Sequence, residues 1–208
     1  METRRITVIS AGLGVPSSSR LLADQLAASA ERQLAAAGYA VDIEVVELRD
    51  LAVDIANNFV TGYAAPRLAD VIARVEASDG LIAVSPVFSA SYSGLFKSFI
   101  DVLDPKSLEG KAVLIGATAG TDRHQMVLDF AMRPLFTYLR TRIAATAVFA
   151  GPQDWGNNDD GGSPLSVRVD RAAGEFVALL QDSGPQQKPA ALESLPFEQL
   201  LAGIAAQR

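Results

Sequence analysis

Apolar residues run along this chain in two alternating rhythms. Largely apolar short runs, Ile6 to Ala11, Val41 to Leu48, Gly80 to Ser85, Lys111 to Ala117 and Ile143 to Phe149, are separated by longer stretches in which apolar positions recur every third or fourth residue. Unbroken runs suit parallel strands covered on both faces, and the slower rhythm suits helices lying on one face. The helices so predicted span Ser18 to Ala37 (inward Leu22, Leu26, Ala30, Leu34), Arg67 to Ser78 (Leu68, Val71, Ile72, Val75), Tyr92 to Leu103, Arg123 to Leu139, and Pro164 to Leu180. Gly38 suits a helix C-cap, and Pro134 predicts a kink in the fourth helix. Five strands alternating with helices imply an α/β fold with a doubly wound parallel sheet. The pattern predicts one domain over 1–183. The segment 184–208 reads as a linker and a short amphipathic tail through Phe197, Leu200, Leu201 and Ile204.

Composition narrows the chemistry. With 208 residues, 49% of them hydrophobic, the chain can bury a full core. It has no cysteine and one histidine, which excludes disulfides and cysteine nucleophiles and argues against a metal site. A net charge of −6 with scattered Lys and Arg argues against nucleic acid. No apolar stretch reaches the roughly 20 residues that span a bilayer, and Met1 to Arg5 leads into a strand rather than a signal core, so the expected location is the cytoplasm.

Candidate chemistry sits in three loops, each following a predicted strand. The first runs Ser10-Ala11-Gly12-Leu13-Gly14-Val15-Pro16-Ser17-Ser18-Ser19-Arg20. Serine hydroxyls beside unpaired amides at a helix start can hold a phosphomonoester, or Ser17 or Ser18 can simply cap the helix. Gly12 and Gly14 lack the third glycine of a dinucleotide fingerprint. The second loop, Pro86-Val87-Phe88-Ser89-Ala90-Ser91-Tyr92-Ser93-Gly94, opens on a proline that cannot donate to a strand ladder, so a turn is expected at Pro86. Its amides, hydroxyls and two aromatic rings suit a flat, partly polar ring system; Phe88 and Tyr92 can also be core or interface aromatics, a reading that stands level with ligand contact for Tyr92, whereas Pro86, Val87 and Phe88 are the stronger ligand candidates. The third runs from Ala117 to His124, where His124 is either a ligand or a structural hydrogen-bonder. Lys97 and Asp101, four apart on a helix, read as a solvated pair or a subunit contact. The acidic loop Gly151 to Gly162 is longer than a plain connector needs.

Taken together, Ser17-Ser18-Ser19-Arg20, Ser85-Pro86-Val87-Phe88-Ser89-Ala90-Ser91-Tyr92-Ser93-Gly94-Leu95-Phe96-Lys97 and Ala117-Thr118-Ala119-Gly120-Thr121-Asp122-Arg123-His124 resemble the NAD(P)H-dependent FMN reductase family of flavodoxin-like proteins. The likeness is greatest to the branch that supplies reduced flavin to luciferase-like two-component monooxygenases. It covers about Arg5 to Phe149.

The resemblance implies strand order 2-1-3-4-5 and a homodimer or homotetramer. It implies FMN and NADPH (or NADH) as cofactors, with no catalytic side chain, because the cofactors carry the redox step. Ser10, Ser17, Ser18, Ser19 and Arg20 would hold the FMN phosphate. Pro86, Val87, Phe88 and Ser89 would line the flavin ring. Amides of Thr118, Ala119, Gly120 and Thr121, with His124, would face its pyrimidine edge and stabilise the negative charge that hydride transfer creates there. Gly120 would be the permissive residue; Ala119 stands where the family often has Gly. Phe130 matches a Tyr or His position in an irregular helical turn near flavin and interface, or is a buried aromatic. Alternative functions are a quinone or azo reductase with bound FMN, and a non-catalytic FMN-binding or electron-carrier protein.

Overall fold

The computed structural model describes residues 2–155 and 164–182. The expected tail and most of the acidic loop lie outside them. Strands β1 (Thr3–Ser10), β2 (Ala40–Glu47), β3 (Gly80–Phe88) and β5 (Ala112–Thr118) form a parallel sheet in the order β2-β1-β3-β5, with β6 (Arg142–Ile143) and β7 (Val148–Ala150) both pairing with β5. The short β4 (Ser91–Tyr92) makes a hairpin with β3. The flavodoxin-like order 2-1-3-4-5 is present, its last strand divided in two.

Helices α1 (Ser18–Ala36) and α6 (Leu165–Gln181) cover one face, packing Leu22, Leu26, Phe176 and Leu180 on Ile6, Val8, Ile82 and Leu114. On the other face α2 (Ala52–Thr61), α3 (Pro66–Ala77), α4 (Gly94–Val102) and α5 (Arg133–Tyr138) bring Ile55, Leu68, Phe96 and Phe136 onto Ile9, Leu81, Ala83 and Ile115. Gly80 lets α6 approach, since a Cβ there would lie 2.7 Å from the Phe176 ring. Residues 49–61, to which the periodicity assigns no element, and Leu48, expected to end the second strand, form a 3-10 turn (Leu48–Leu51) and α2, whose buried Leu48, Leu51 and Ile55 keep helical spacing.

Three expectations change. The turn expected at Pro86 does not occur. Strand β3 runs on to Phe88 with Pro86 opposite Thr118, and the chain turns at Ser89 and Ala90, both at positive φ (48° and 65°). Val84 gives its carbonyl to Ala11 on the β1 side, so by alternation Pro86 faces that side too, beyond the end of β1, where a missing donor costs no ladder bond. The helix expected from Arg123 to Leu139 is instead a 3-10 turn (Asp122–His124), a π-turn (Leu128–Met132) and α5. Pro134 offers no N–H to the preceding turn, and the irregularity falls just before it. The strand expected from Ile143 to Phe149 is interrupted because side chains take its backbone groups: Arg133 donates to the carbonyls of Ala144 and Ala145, and Glu175 accepts from Thr146.

At the amino end of the sheet Lys111 is fully buried and donates to the carbonyls of Glu76 and Ser78 at the end of α3. Burial pushes its ammonium from the ordinary 10.5 down to about 8, against the opposing pull of Asp79 and Glu76. The unfolded chain therefore binds more protons between those values. The destabilisation is complete below pH 8 and relieved as pH rises to 10.5, a gain of about 3 kcal/mol. Urea unfolding at both ends of that window should show the gain in the wild type and not in Lys111→Met; equal pH slopes would contradict it.

Candidate functional site

Because β1, β3 and β5 are parallel, their carboxyl ends deliver all three candidate loops to one edge of the sheet. The chain order reverses between β1 and β3, where open α/β sheets leave a ligand crevice. At the end of β1, the Ser10 hydroxyl is fully buried and has no hydrogen-bond partner among the described residues. Ala11 and Gly12 follow it, also buried. Ser17 is the N-cap of α1, its Oγ accepting from the Arg20 amide at 3.2 Å. Ser18 is exposed. Ser19 is buried, and its hydroxyl shares a 2.7 Å hydrogen bond with Thr118 at the end of β5. That bond joins the first loop to the third across 99 residues of sequence.

Arg20 does not turn toward these serines. Its guanidinium pairs with Asp24 at 2.8 Å and with Glu47, the last residue of β2, at 2.9 Å. The Asp24 hydrogen bond is the largest of the interactions that hold its pKa above the ordinary value. Arg20 is thus placed between two carboxylates.

In the second loop Val87 pairs with Tyr92 and Phe88 with Ser91, so Tyr92 belongs to the hairpin rather than to the helix expected there. The consecutive left-handed residues Ser89 and Ala90 give the hairpin a backbone of the primed-turn kind. Ser85 anchors its base: the hydroxyl accepts from the Ser93 amide at 2.9 Å and donates to the Pro86 carbonyl. Ser93 in turn caps α4, accepting from Phe96 N at 3.1 Å. Pro86 and Val87 are half-buried, while Phe88 and Ser89 are exposed at the tip.

Ala119 donates weakly to Ala150 at 3.3 Å. Thr121 caps the following 3-10 turn, which ends at the half-buried His124. The permissive role expected of Gly120 is not required by the backbone: its φ is not left-handed, and a Cβ there would meet open space. The demanding glycine is Gly12, where a Cβ would lie 2.0 Å from Ser17 Oγ. Phe130 is 74% exposed on the π-turn, which rules out the buried-aromatic reading. Lys97 and Asp101 form a half-exposed pair at 2.6 Å.

Ser10, Ser19, Pro86 and Thr118 therefore converge, with Ser17 behind them. The sequence reading missed Glu47 and Arg49. Arg49 donates to the Gly14 carbonyl at 2.7 Å and to Glu47 at 2.8 Å, a link foreshadowed only by the strand order, which puts the end of β2 beside the first loop. A cleft of about 270 Å³ lies against the open edge of β2, lined by Glu44 to Glu47, Asp50, Leu51, Arg67, Asp70 and Val71. None of the expected site residues lines it. Among the described residues, no helix is long and apolar enough to cross a membrane and no three acidic or histidine side chains are grouped to hold a metal.

Known proteins resemble this chain in sequence and fold. The profile of a family described as NADPH-dependent FMN reductase matches residues 4–156. The chain is 33% identical over 176 residues to "FMN reductase (NADPH)" of Pseudomonas aeruginosa, covering 85% of this chain and 91% of that one. It is 30% identical over 146 residues to "NADH-dependent FMN reductase SfnF" of Pseudomonas putida, covering 70% of this chain and 76% of the other. The crystal structure of an oxidoreductase from Corynebacterium diphtheriae superimposes with a TM-score of 0.83 at 39% identity, over 88% of this chain and all of that one.

Proposed function

Because the chain belongs to the NADPH-dependent FMN reductase family, and so is an NAD(P)H-dependent oxidoreductase of FMN, we propose that it releases reduced flavin to a luciferase-like two-component monooxygenase. The observation that carries the site assignment is the convergence of Ser10, Ser19, Pro86 and Thr118 at the chain reversal between β1 and β3, with one buried hydroxyl lacking a partner. The residues present fit FMN. A phosphate has the amides of the first turn of α1, the exposed Ser18 hydroxyl and the orphaned Ser10 hydroxyl within the same loop, and the helix dipole adds positive potential.

When bound, flavin takes up a hydride from the nicotinamide; the chain's own groups bind and orient. Pro86 and Val87 offer a rigid apolar rim, fixed from below by Ser85 and Ser93. Phe88 and Ser89 reach out beyond it. The amides of Ala119 to Thr121 are the donors proposed for the edge of the ring that gains negative charge, and the absence of side-chain bulk at Gly120 leaves the approach open. His124 stands at the end of the same loop. A homodimer or homotetramer suits the exposed apolar side chains of Phe59, Val60 and Tyr63 on and after α2, and of Phe130 and Tyr138.

Purified protein should oxidise NADPH or NADH only with FMN present, at a rate that saturates with added FMN, and should lose its flavin on gel filtration. Turnover that ignores added FMN, with flavin retained in stoichiometric amount, would replace flavin supply by a quinone or azo reductase reading. A folded protein with no flavin-dependent oxidation would leave an FMN-binding protein without turnover.

A further inference from the structure

The first loop is held at its middle and at its outgoing helix by a charge network that the cofactor reading does not use. Arg20, in the first turn of α1, reaches Asp24 and one carboxylate oxygen of Glu47; Arg49 reaches the other Glu47 oxygen and, through Nη1, the carbonyl of Gly14. Glu47 is thus shared between the two arginines, its side chain 16% exposed and that of Arg49 25%. The chain Arg20, Glu47, Arg49, Gly14 spans the loop from its outgoing helix to its middle and ties both to the end of β2. The network holds no surplus positive charge: two arginines face three carboxylates, Asp24, Glu47 and, at 3.7 Å, Asp50, so no cation is left over for a phosphate. What the network supplies is the position of the loop's backbone. A phosphate held by amides and hydroxyls depends on that position; a flavin without one does not.

Resting on the reading of this site as an FMN site, we propose that Glu47 and Arg49 are positioning residues that set the preference for phosphorylated flavin over riboflavin. Arg49 orients Gly14, and Glu47 holds Arg49 and Arg20 in register, so loosening either relaxes the loop at the phosphate end while the ring end, built on β3 and β5, keeps its own supports.

Titration of FMN and of riboflavin by flavin fluorescence, without nicotinamide, tests this in Arg49→Gln and Glu47→Gln. Loss of one or two charge-assisted phosphate bonds should raise the FMN Kd about tenfold to a hundredfold and leave riboflavin within about twofold. In turnover the loss should fall on KM for FMN rather than on kcat. Amide hydrogen exchange over 12–15 in the flavin-free protein should speed up in Arg49→Gln, a readout independent of any ligand. Equal weakening of both flavins, unchanged FMN binding in both variants, or tighter FMN binding in Glu47→Gln, which would mean that the freed Arg20 contacts the phosphate itself, each overturns the inference. A wild type that binds both flavins equally overturns it alone; a wild type that binds neither overturns the functional reading beneath it as well.

Discussion

Gly12→Ala should weaken FMN binding by about two orders of magnitude, with a smaller effect on riboflavin. An added Cβ would meet Ser17 Oγ at 2.0 Å, Ser17 Cβ at 3.1 Å and Ser19 Cβ at 3.2 Å. Ser17 can yield only by giving up its cap on the Arg20 amide, and Ser19 only by straining its buried bond to Thr118. A lost cap costs about 1 kcal/mol and an unmade buried hydrogen bond about 1–3 kcal/mol, which together correspond to roughly a hundredfold in affinity if the displaced groups are the ones that hold the phosphate. Fluorescence titration of both flavins measures it. A folded variant with wild-type FMN affinity would show that the phosphate lies elsewhere.

The largest effect on stability is expected at Phe96, in a place that also supports the second loop. Its ring is fully buried, with centroids 5.7 Å from Tyr92 in the hairpin and 6.3 Å from Phe136 on α5. Phe96→Ala should cost about 3–5 kcal/mol through the lost transfer energy and the cavity, a large share of the roughly 5–15 kcal/mol that holds a domain together. Phe130→Ala, by contrast, removes a ring that is 74% exposed and should shift stability by less than about 0.5 kcal/mol in the isolated chain. Guanidinium unfolding of the two variants side by side decides it. Equal destabilisation would mean that Phe130 is covered, as an interface would cover it.

The parallel sheet was legible because unbroken apolar runs such as Ile6 to Ala11 and Lys111 to Ala117 have few other homes than a two-sided parallel sheet, whereas its strand order came from the family resemblance. The three loops were legible for the same reason: once the strands are parallel, the residues after each must share an edge. What escaped was whatever depends on where a neighbour stops. Pro86 reads locally as a turn, yet the strand passes through it because β1 ends at Ser10 and leaves that side of β3 with no bond to lose. Arg20 reads as a phosphate ligand from its place after three serines, yet Glu47, 27 residues on, claims it. Gly120 reads as the permissive glycine because it stands in a small-residue loop, whereas of the two it is Gly12 that has no room, and only the fold of Ser17 back over it says so. Side chains that replace a ladder, as Arg133 and Glu175 do between β6 and β7, leave no periodic trace at all.

Among the described residues strand β2, Ala40 to Glu47, has a ladder partner on one side only and leaves backbone donors and acceptors open along the other. An edge of that length invites a second chain to add a strand and begin aggregation. Here Asp42 and Glu44 stand along it, each paired with Arg74 from α3 at 2.8 and 2.7 Å, so an incoming strand would have to desolvate fixed charges to dock. At the far edge β6 and β7, two and three residues long, offer too little to template anything. Substitutions of Asp42, Glu44 or Arg74 made for any other purpose would therefore remove a guard against strand addition before they touch the chemistry.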